Sequence, residues 1–169
     1  VNIHIKAGDG YLGWPENAPF DKIIVTCSPE KVPQPLIDQL KEGGKLLVPL
    51  GERYQQTFYL FEKQDGKLNQ TKLIPTLFVP MTGTSETERV IQPDPSNPQI
   101  INGSFEETEE ADGIIYPAGW HYLRQAQVIS GTSPEGKNFV QVENQDSGRL
   151  SQMLQAVPLD GRKVQSVRI

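Results

Sequence analysis

Apolar and polar residues alternate over residues 1–5, the period of a strand with one covered face. Gly8-Asp9-Gly10 follows as a turn signal. Ile23-Ile24-Val25 is an unbroken apolar run, which predicts a strand buried on both faces in a parallel sheet. Over residues 33–41 the spacing of Leu36, Ile37 and Leu40 predicts a helix with one apolar face. Gly43-Gly44 is expected to stop it, because glycine tolerates the positive φ of a helix C-terminus. Residues 45–49 read as the next strand. Two longer stretches, 57–63 and 68–78, flank Gln64-Asp65-Gly66-Lys67, a hairpin signal. Helix alternating with strand predicts an α/β sheet.

The pattern then changes. Residues 84–99 hold prolines at 93, 95 and 98 among polar residues, a composition that favours extended chain, and they read as an interdomain linker. From residue 100 helical periodicity disappears. Short apolar pieces at 126–129, 139–142 and 163–169 lie between Gly, Pro, Ser and Asp turns, which predicts an all-β sandwich. The expected organisation is thus an α/β unit at 1–83, a linker at 84–99 and a partial β-sandwich at 100–169. Val1 opens directly into a strand pattern and residue 169 falls inside one, so the chain reads as cut from something longer.

Composition narrows the possibilities. The chain has 169 residues, 36% of them hydrophobic and 22% charged, which suits a soluble globular protein. No apolar run approaches the length of about 18–20 residues that a membrane span needs. The net charge of −5 arises wholly beyond residue 83: nine acids balance nine bases before it, and twelve acids face seven bases after it. No basic stripe exists to neutralise phosphates, which argues against a nucleic-acid partner. The single cysteine, Cys27, allows no internal disulfide and is compatible with a reducing, cytoplasmic compartment.

Candidate chemistry is sparse. Open α/β sheets bind ligands beyond the carboxyl ends of their strands, where Gly8-Asp9-Gly10 is expected. An Asp there can accept from a ligand amine or hydroxyl, and glycines let a ligand approach the backbone; the competing reading is a plain turn. Trp14 is a platform for a ligand ring or a cover for the sheet edge. Thr26-Cys27-Ser28 leaves a strand for a loop, so its side chains line a pocket or serve the turn. Cys27 has no nearby His and reads as a small packed residue. His4 reads as structural or exposed. Two histidines and one cysteine are too few for a zinc site, and no phosphate loop or nucleophile elbow occurs. The acids Glu106, Glu107, Glu109, Glu110 and Asp112 read as a solvated surface more readily than as a calcium site.

One ordered series carries more. Gly8-Asp9-Gly10, Gly13-Trp14, residues 18–26 from Ala18 to Thr26, residues 32–51 from Val32 to Gly51, and Phe78-Val79-Pro80-Met81-Thr82 together resemble the C-terminal half of protein-L-isoaspartate O-methyltransferases. The resemblance implies a class I, Rossmann-like methyltransferase sheet that uses S-adenosyl-L-methionine to methylate isoaspartyl residues of damaged proteins. It implies that Asp9 and Gly10 lie near the cofactor's adenine and Thr82 on the cofactor side. Val79 falls beside the isoaspartyl substrate, with Thr26 and Cys27 lining the site. Cys27 and Ser28 depart from the alanine-containing family pattern. The family's glycine-rich loop, ribose-binding acid and catalytic serine motif all precede this segment, so no catalytic residue is assigned within it and the segment alone is expected to be inactive. Two rival readings are a methyltransferase of a small molecule and a binding protein with a vestigial methyltransferase half.

Residues 101–107 and Pro117-Ala118-Gly119-Trp120 resemble the opening of a galactose-binding-like jelly roll, a fold common among carbohydrate-binding modules. A carbohydrate partner follows from that resemblance alone. Phe105 and Trp120 are expected to be core anchors rather than sugar platforms.

Overall fold

The computed structural model describes residues 2–92 and 94–167. Its first part is a mixed α/β unit. Strand β1 (Phe20–Ile24) runs parallel to β2 (Leu40–Glu52), and β3 (Gln55–Gln64) and β4 (Lys67–Thr76) extend the sheet antiparallel in the order β1-β2-β3-β4. Between β1 and β2 lies the short helix α1 (Gln34–Asp38). Leu46 and Val48, two residues apart on β2, face the same side of the sheet and are fully buried. They form one core with Val25, Leu36, Leu40, Phe61 and Met81.

The β3–β4 hairpin forms where the turn signal placed it. Asp65 and Gly66 both take positive φ, 51° and 73°, the geometry that matches the twist of two antiparallel strands. The expected helix at 33–41 ends early, at Asp38. Two non-local contacts take the chain out of the helix. The Gln39 carbonyl accepts the Phe20 N–H at 2.8 Å, and Leu40 pairs with Phe20 in the sheet. Gly43 and Gly44 therefore lie inside β2, where the register against β1 slips, and Gly43 takes its φ of 75° there. Lys63 of β3 donates to the carbonyls of Ile37 and Leu40, both at 2.9 Å, and so satisfies orphan acceptors where the helix stops.

Two expected strands differ. Residues 2–5 have no regular structure, and Ile3 and Ile5 are exposed; Val1 lies outside the described residues. An extended segment holds strand form only when a neighbour takes its backbone bonds, and none does among the described residues. The strand around Ile23 exists and is parallel, but it is not buried on both faces: Ile24 is 69% exposed. Strand β1 pairs with β2 on one side only among the described residues, and Leu36 of α1 shares the core cluster against which Ile23 packs.

The stretch expected to be linker begins with packed structure. Thr84–Thr87 form a single helical turn, α2, and Ser85 and Arg89 are buried. Beyond it come three antiparallel ribbons: β5 (Thr108–Ala111) with β6 (Ile114–Pro117), β7 (His121–Arg124) with β10 (Gln152–Leu154), and β8 (Ala126–Ser130) with β9 (Asn138–Val142). The described residues do not join them into the two facing sheets of a sandwich. The piece at 163–167 forms no strand, because Lys163 and Val164 donate instead to the Asp160 carbonyl in a turn; residues 168 and 169 lie outside the described residues. The ribbons dock on the sheet at His121, whose Nε2 lies 3.2 Å from the Tyr54 carbonyl, at Tyr122, whose hydroxyl donates to the Leu77 carbonyl, and through a Lys72–Glu109 ion pair.

Candidate functional site

Asp9 stands at the start of a one-turn 3-10 helix, Gly10–Leu12. Its carboxylate accepts the Tyr11 N–H at 3.0 Å through Oδ1, and the Thr84 N–H at 3.0 Å and Thr84 hydroxyl at 2.8 Å through Oδ2. The bonds from Thr84 and Tyr11 favour the charged form and hold the carboxyl below its usual range. Asp9 is therefore a fixed anion that joins the turn to the segment after Met81. Gly83 permits the join: it takes a φ of 72°, and a Cβ there would fall 2.6 Å from an Asp9 oxygen. Gly10 is exposed, with open space where a side chain would stand.

The second wall is an isolated parallel bridge. The Ser28 N–H donates to the Val79 carbonyl at 2.8 Å, and the Met81 N–H donates to the Ser28 carbonyl at 2.9 Å. This brings Cys27, Ser28 and residues 79–82 beside Asp9. Burial and then the Asp9 charge push the Cys27 thiol up, so it is a neutral, half-buried group at neutral pH. Thr26, Val79 and Thr82 are exposed at this rim. Asp9, Gly10, Thr26, Cys27, Val79 and Thr82 thus fall in one region of the molecule, although they come from three separated stretches of the chain.

Beside the Asp9 turn opens an apolar cleft of about 500 Å³, bounded by Gly8, Leu12, Trp14, Phe20, Ile23 and Leu36. Gln39 shapes it: the carboxamide accepts the Trp14 N–H at 2.7 Å and donates to the Leu12 carbonyl at 2.9 Å. Lys6 lies 5.8 Å from the Trp14 ring centroid and pairs with Glu16. The cleft is lined mainly by apolar side chains, with the Asp9 carboxylate among them. Each carboxylate oxygen accepts about two bonds, so Oδ1, with one, keeps a lone pair for a further donor.

Sequence reasoning did not find Gln39, Thr84 or Arg89. Each acts on residues at least 25 positions away, and only the acid-rich run from Thr84 hinted at a helix start. Farther off, Phe105 and Trp120 pack on each other with centroids 5.5 Å apart, and the Trp120 indole N–H donates to the Asn102 carbonyl. In the acidic cluster, Glu106 accepts the Lys137 and Asn138 N–H groups, and Glu109 is paired with Lys72.

The family model for protein-L-isoaspartate(D-aspartate) O-methyltransferase matches residues 1–86. The chain belongs to this family. The matched segment is 49% identical over 82 residues to the protein-L-isoaspartate O-methyltransferase of Hyperthermus butylicus, a match that covers 48% of this chain and 34% of that protein. The same-named protein of Gloeobacter violaceus is 45% identical over 82 residues, covering 48% and 40%. A Plasmodium falciparum isoaspartate methyltransferase solved with S-adenosyl-L-homocysteine shares 32% identity, covers 44% of this chain and 36% of its own, and superposes with a TM-score of 0.40. The family assignment rests on the sequence match. The chain spans 34% and 40% of the length of the two curated relatives, and the β ribbons lie outside the matched segment.

Proposed function

We propose that this chain forms the C-terminal part of an S-adenosylmethionine-dependent carboxyl methyltransferase that repairs L-isoaspartyl residues in proteins. The observation that carries the proposal is the family match over residues 1–86, whose motifs meet at one rim of the fold. Asp9 and Gly10 take the adenine side of the cofactor, and Thr82 its neighbouring wall. Val79, Thr26 and Cys27 take the substrate side. The fit of Asp9 is chemical: an anion with a spare lone pair suits an exocyclic amine.

When bound, S-adenosylmethionine supplies a methyl group on a cationic sulfur and leaves as a neutral thioether. The nucleophile is the substrate's own carboxylate, already ionised near neutral pH. With such a nucleophile no proton would need to move during methyl transfer. This chain's residues therefore need supply no acid or base; their work is to align and to exclude water. The neutral Cys27 thiol fits such a rim, because a thiolate would compete for the methyl group.

For residues 100–169 the proposal is a partial, galactose-binding-like β module, supported by the motif resemblance. A sugar platform is not part of it, since the Trp120 ring is spent on Phe105 and Asn102. No described helix is long and apolar enough to cross a membrane; a cytoplasmic location is part of the proposal, supported by the single free thiol.

The test is methyl transfer by the full-length protein from labelled S-adenosylmethionine to an isoaspartyl peptide and to its aspartyl twin. Label on the first alone is expected. Equal labelling would favour a broader or small-molecule methyltransferase, and no labelling would favour a vestigial half.

A further inference from the structure

We infer that Arg89 is a positioning residue that clamps the substrate-side wall of the site through a polar clasp formed by residues 83–91. The inference deepens the methyltransferase reading and rests on it for its functional consequence, while its structural part stands alone. The Arg89 side chain is fully buried. Its Nη2 donates to the Ser28 carbonyl at 2.9 Å, its Nη1 to the Gly51 carbonyl at 3.3 Å, and its Nε to Glu86 at 3.0 Å. Glu86 also pairs with Arg53. One guanidinium thus ties the loop after β1, the end of β2 and helix α2. The Ser28 carbonyl is the same group that accepts the Met81 N–H, so Arg89 fixes the parallel bridge that carries Val79 and Met81.

The rest of the clasp repeats this logic. Asp9 holds its start at Thr84, and Glu30 holds its end by accepting the Val90 and Ile91 N–H groups at 2.8 and 3.2 Å. The segment touches the Asp9 turn, the Ser28 loop and Gly51, three places that converge on the rim. Arginine suits this position because its planar fork addresses three acceptors in different directions. A lysine ammonium is a point charge on a flexible stem and reaches fewer of them in register. Removing the guanidinium leaves the Ser28 carbonyl with the Met81 N–H alone, and the wall that presents the Val79 backbone loosens.

The test compares Arg89→Met and Arg89→Lys with the wild type. Amide hydrogen exchange in this chain, read residue by residue by NMR, is the first measurement. Arg89→Met is expected to speed exchange at Ser28 and Met81 by about ten- to a hundredfold, the effect of losing a charge-assisted hydrogen bond. The β2–β3 ladder should keep its protection, and Arg89→Lys should fall between. Unchanged exchange at both amides, or a uniform rise that includes the β2–β3 ladder, overturns the inference. If Arg89→Met does not fold, Arg89→Lys decides by the same two amides. In the full-length protein, Arg89→Lys should raise KM for an isoaspartyl peptide more than it lowers kcat; a fall in kcat with KM unchanged would overturn the positioning role. A wild type that transfers no methyl group refutes the methyltransferase reading and leaves the exchange result to judge the clasp.

Discussion

Gln56 offers the sharpest test of how the substrate-side wall is built. It is 3% exposed, and its carboxamide is fully used. Oε1 accepts the Phe78 N–H at 2.6 Å; Nε2 donates to the Arg53 carbonyl at 2.9 Å and lies 3.2 Å from the carbonyls of Glu52 and Phe78. One side chain thereby fixes the β2–β3 turn and the residue before Val79. Gln56→Leu keeps the volume and removes every bond. At about 1 kcal/mol net per bond, with a further penalty for stranding the Phe78 N–H, the loss is about 2–4 kcal/mol. That is a large share of a domain's margin of about 5–15 kcal/mol. With a urea m-value of roughly 2 kcal/mol/M, the midpoint should fall by about 1–2 M. Gln56→Glu separates bonding from packing. A carboxylate can still accept the Phe78 N–H, but it faces three carbonyl oxygens. Burial and those oxygens raise the introduced carboxyl's folded pKa above its unfolded value of about 4.3. A raised folded pKa means that the deficit is smallest below the unfolded value and grows as pH rises through the folded one. Urea melts by circular dichroism at pH 4 and pH 7, each referenced to wild type, measure both effects. A leucine cost below about 1 kcal/mol, or a glutamate deficit equal at both pH values, would refute the bonding network.

Three more outcomes follow from the geometry. Burial lowers the pKa of His121, whose Nδ1 is buried without a partner among the described residues; Glu109, whose charge acts in the opposite direction, is held by Lys72. Its docking contribution should therefore be complete above the ordinary value of about 6.5 and fade as pH falls toward the depressed one, with exchange protection in β7 dropping between those limits; a flat profile, or the same drop in His121→Gln, would exclude this histidine as the cause. Gly83→Ala forces a Cβ against the Asp9 carboxylate at a positive φ, so it should cost more than about 1 kcal/mol and free the Thr84 amide to exchange; an unchanged Thr84 amide would show the clasp tolerates it. Ile24→Lys places a charge on β1, whose edge is unpaired among the described residues, and should reduce self-association in sedimentation velocity, whereas an unchanged profile would exonerate that edge.

What the sequence made legible was what is decided locally. The Asp65-Gly66 turn fixes its hairpin with two residues that accept positive φ, and no distant group interferes. The helix end was not legible, because Gln39 is claimed by Phe20 and by the Leu12–Trp14 loop rather than by its neighbours. Ile24 reads as buried in any short window, since a window carries no information about whether a strand stands on the far side of β1. The motif order, through the family resemblance, implied that Asp9, Val79 and Thr82 serve one site; in the structure Asp9 is bonded to Thr84 and Val79 to Ser28. It gave no sign that the carboxylate of Asp9 is already engaged by Thr84, or that Arg89 stands behind Ser28. Those are couplings between side chains and remote backbone, and no periodicity encodes them.

The docking of the ribbons on the sheet has a consequence for how the two parts can drift apart in sequence. His121 and Tyr122 address the main-chain carbonyls of Tyr54 and Leu77, not their side chains. A carbonyl is present whatever residue carries it, so positions 54 and 77 can mutate without breaking these contacts. Correlated substitution across this seam should then concentrate at side-chain pairs such as Lys72 and Glu109, where a charge reversal on one side calls for its counterpart on the other. A seam of this kind lets the sheet's surface diversify while the attached ribbons keep their place.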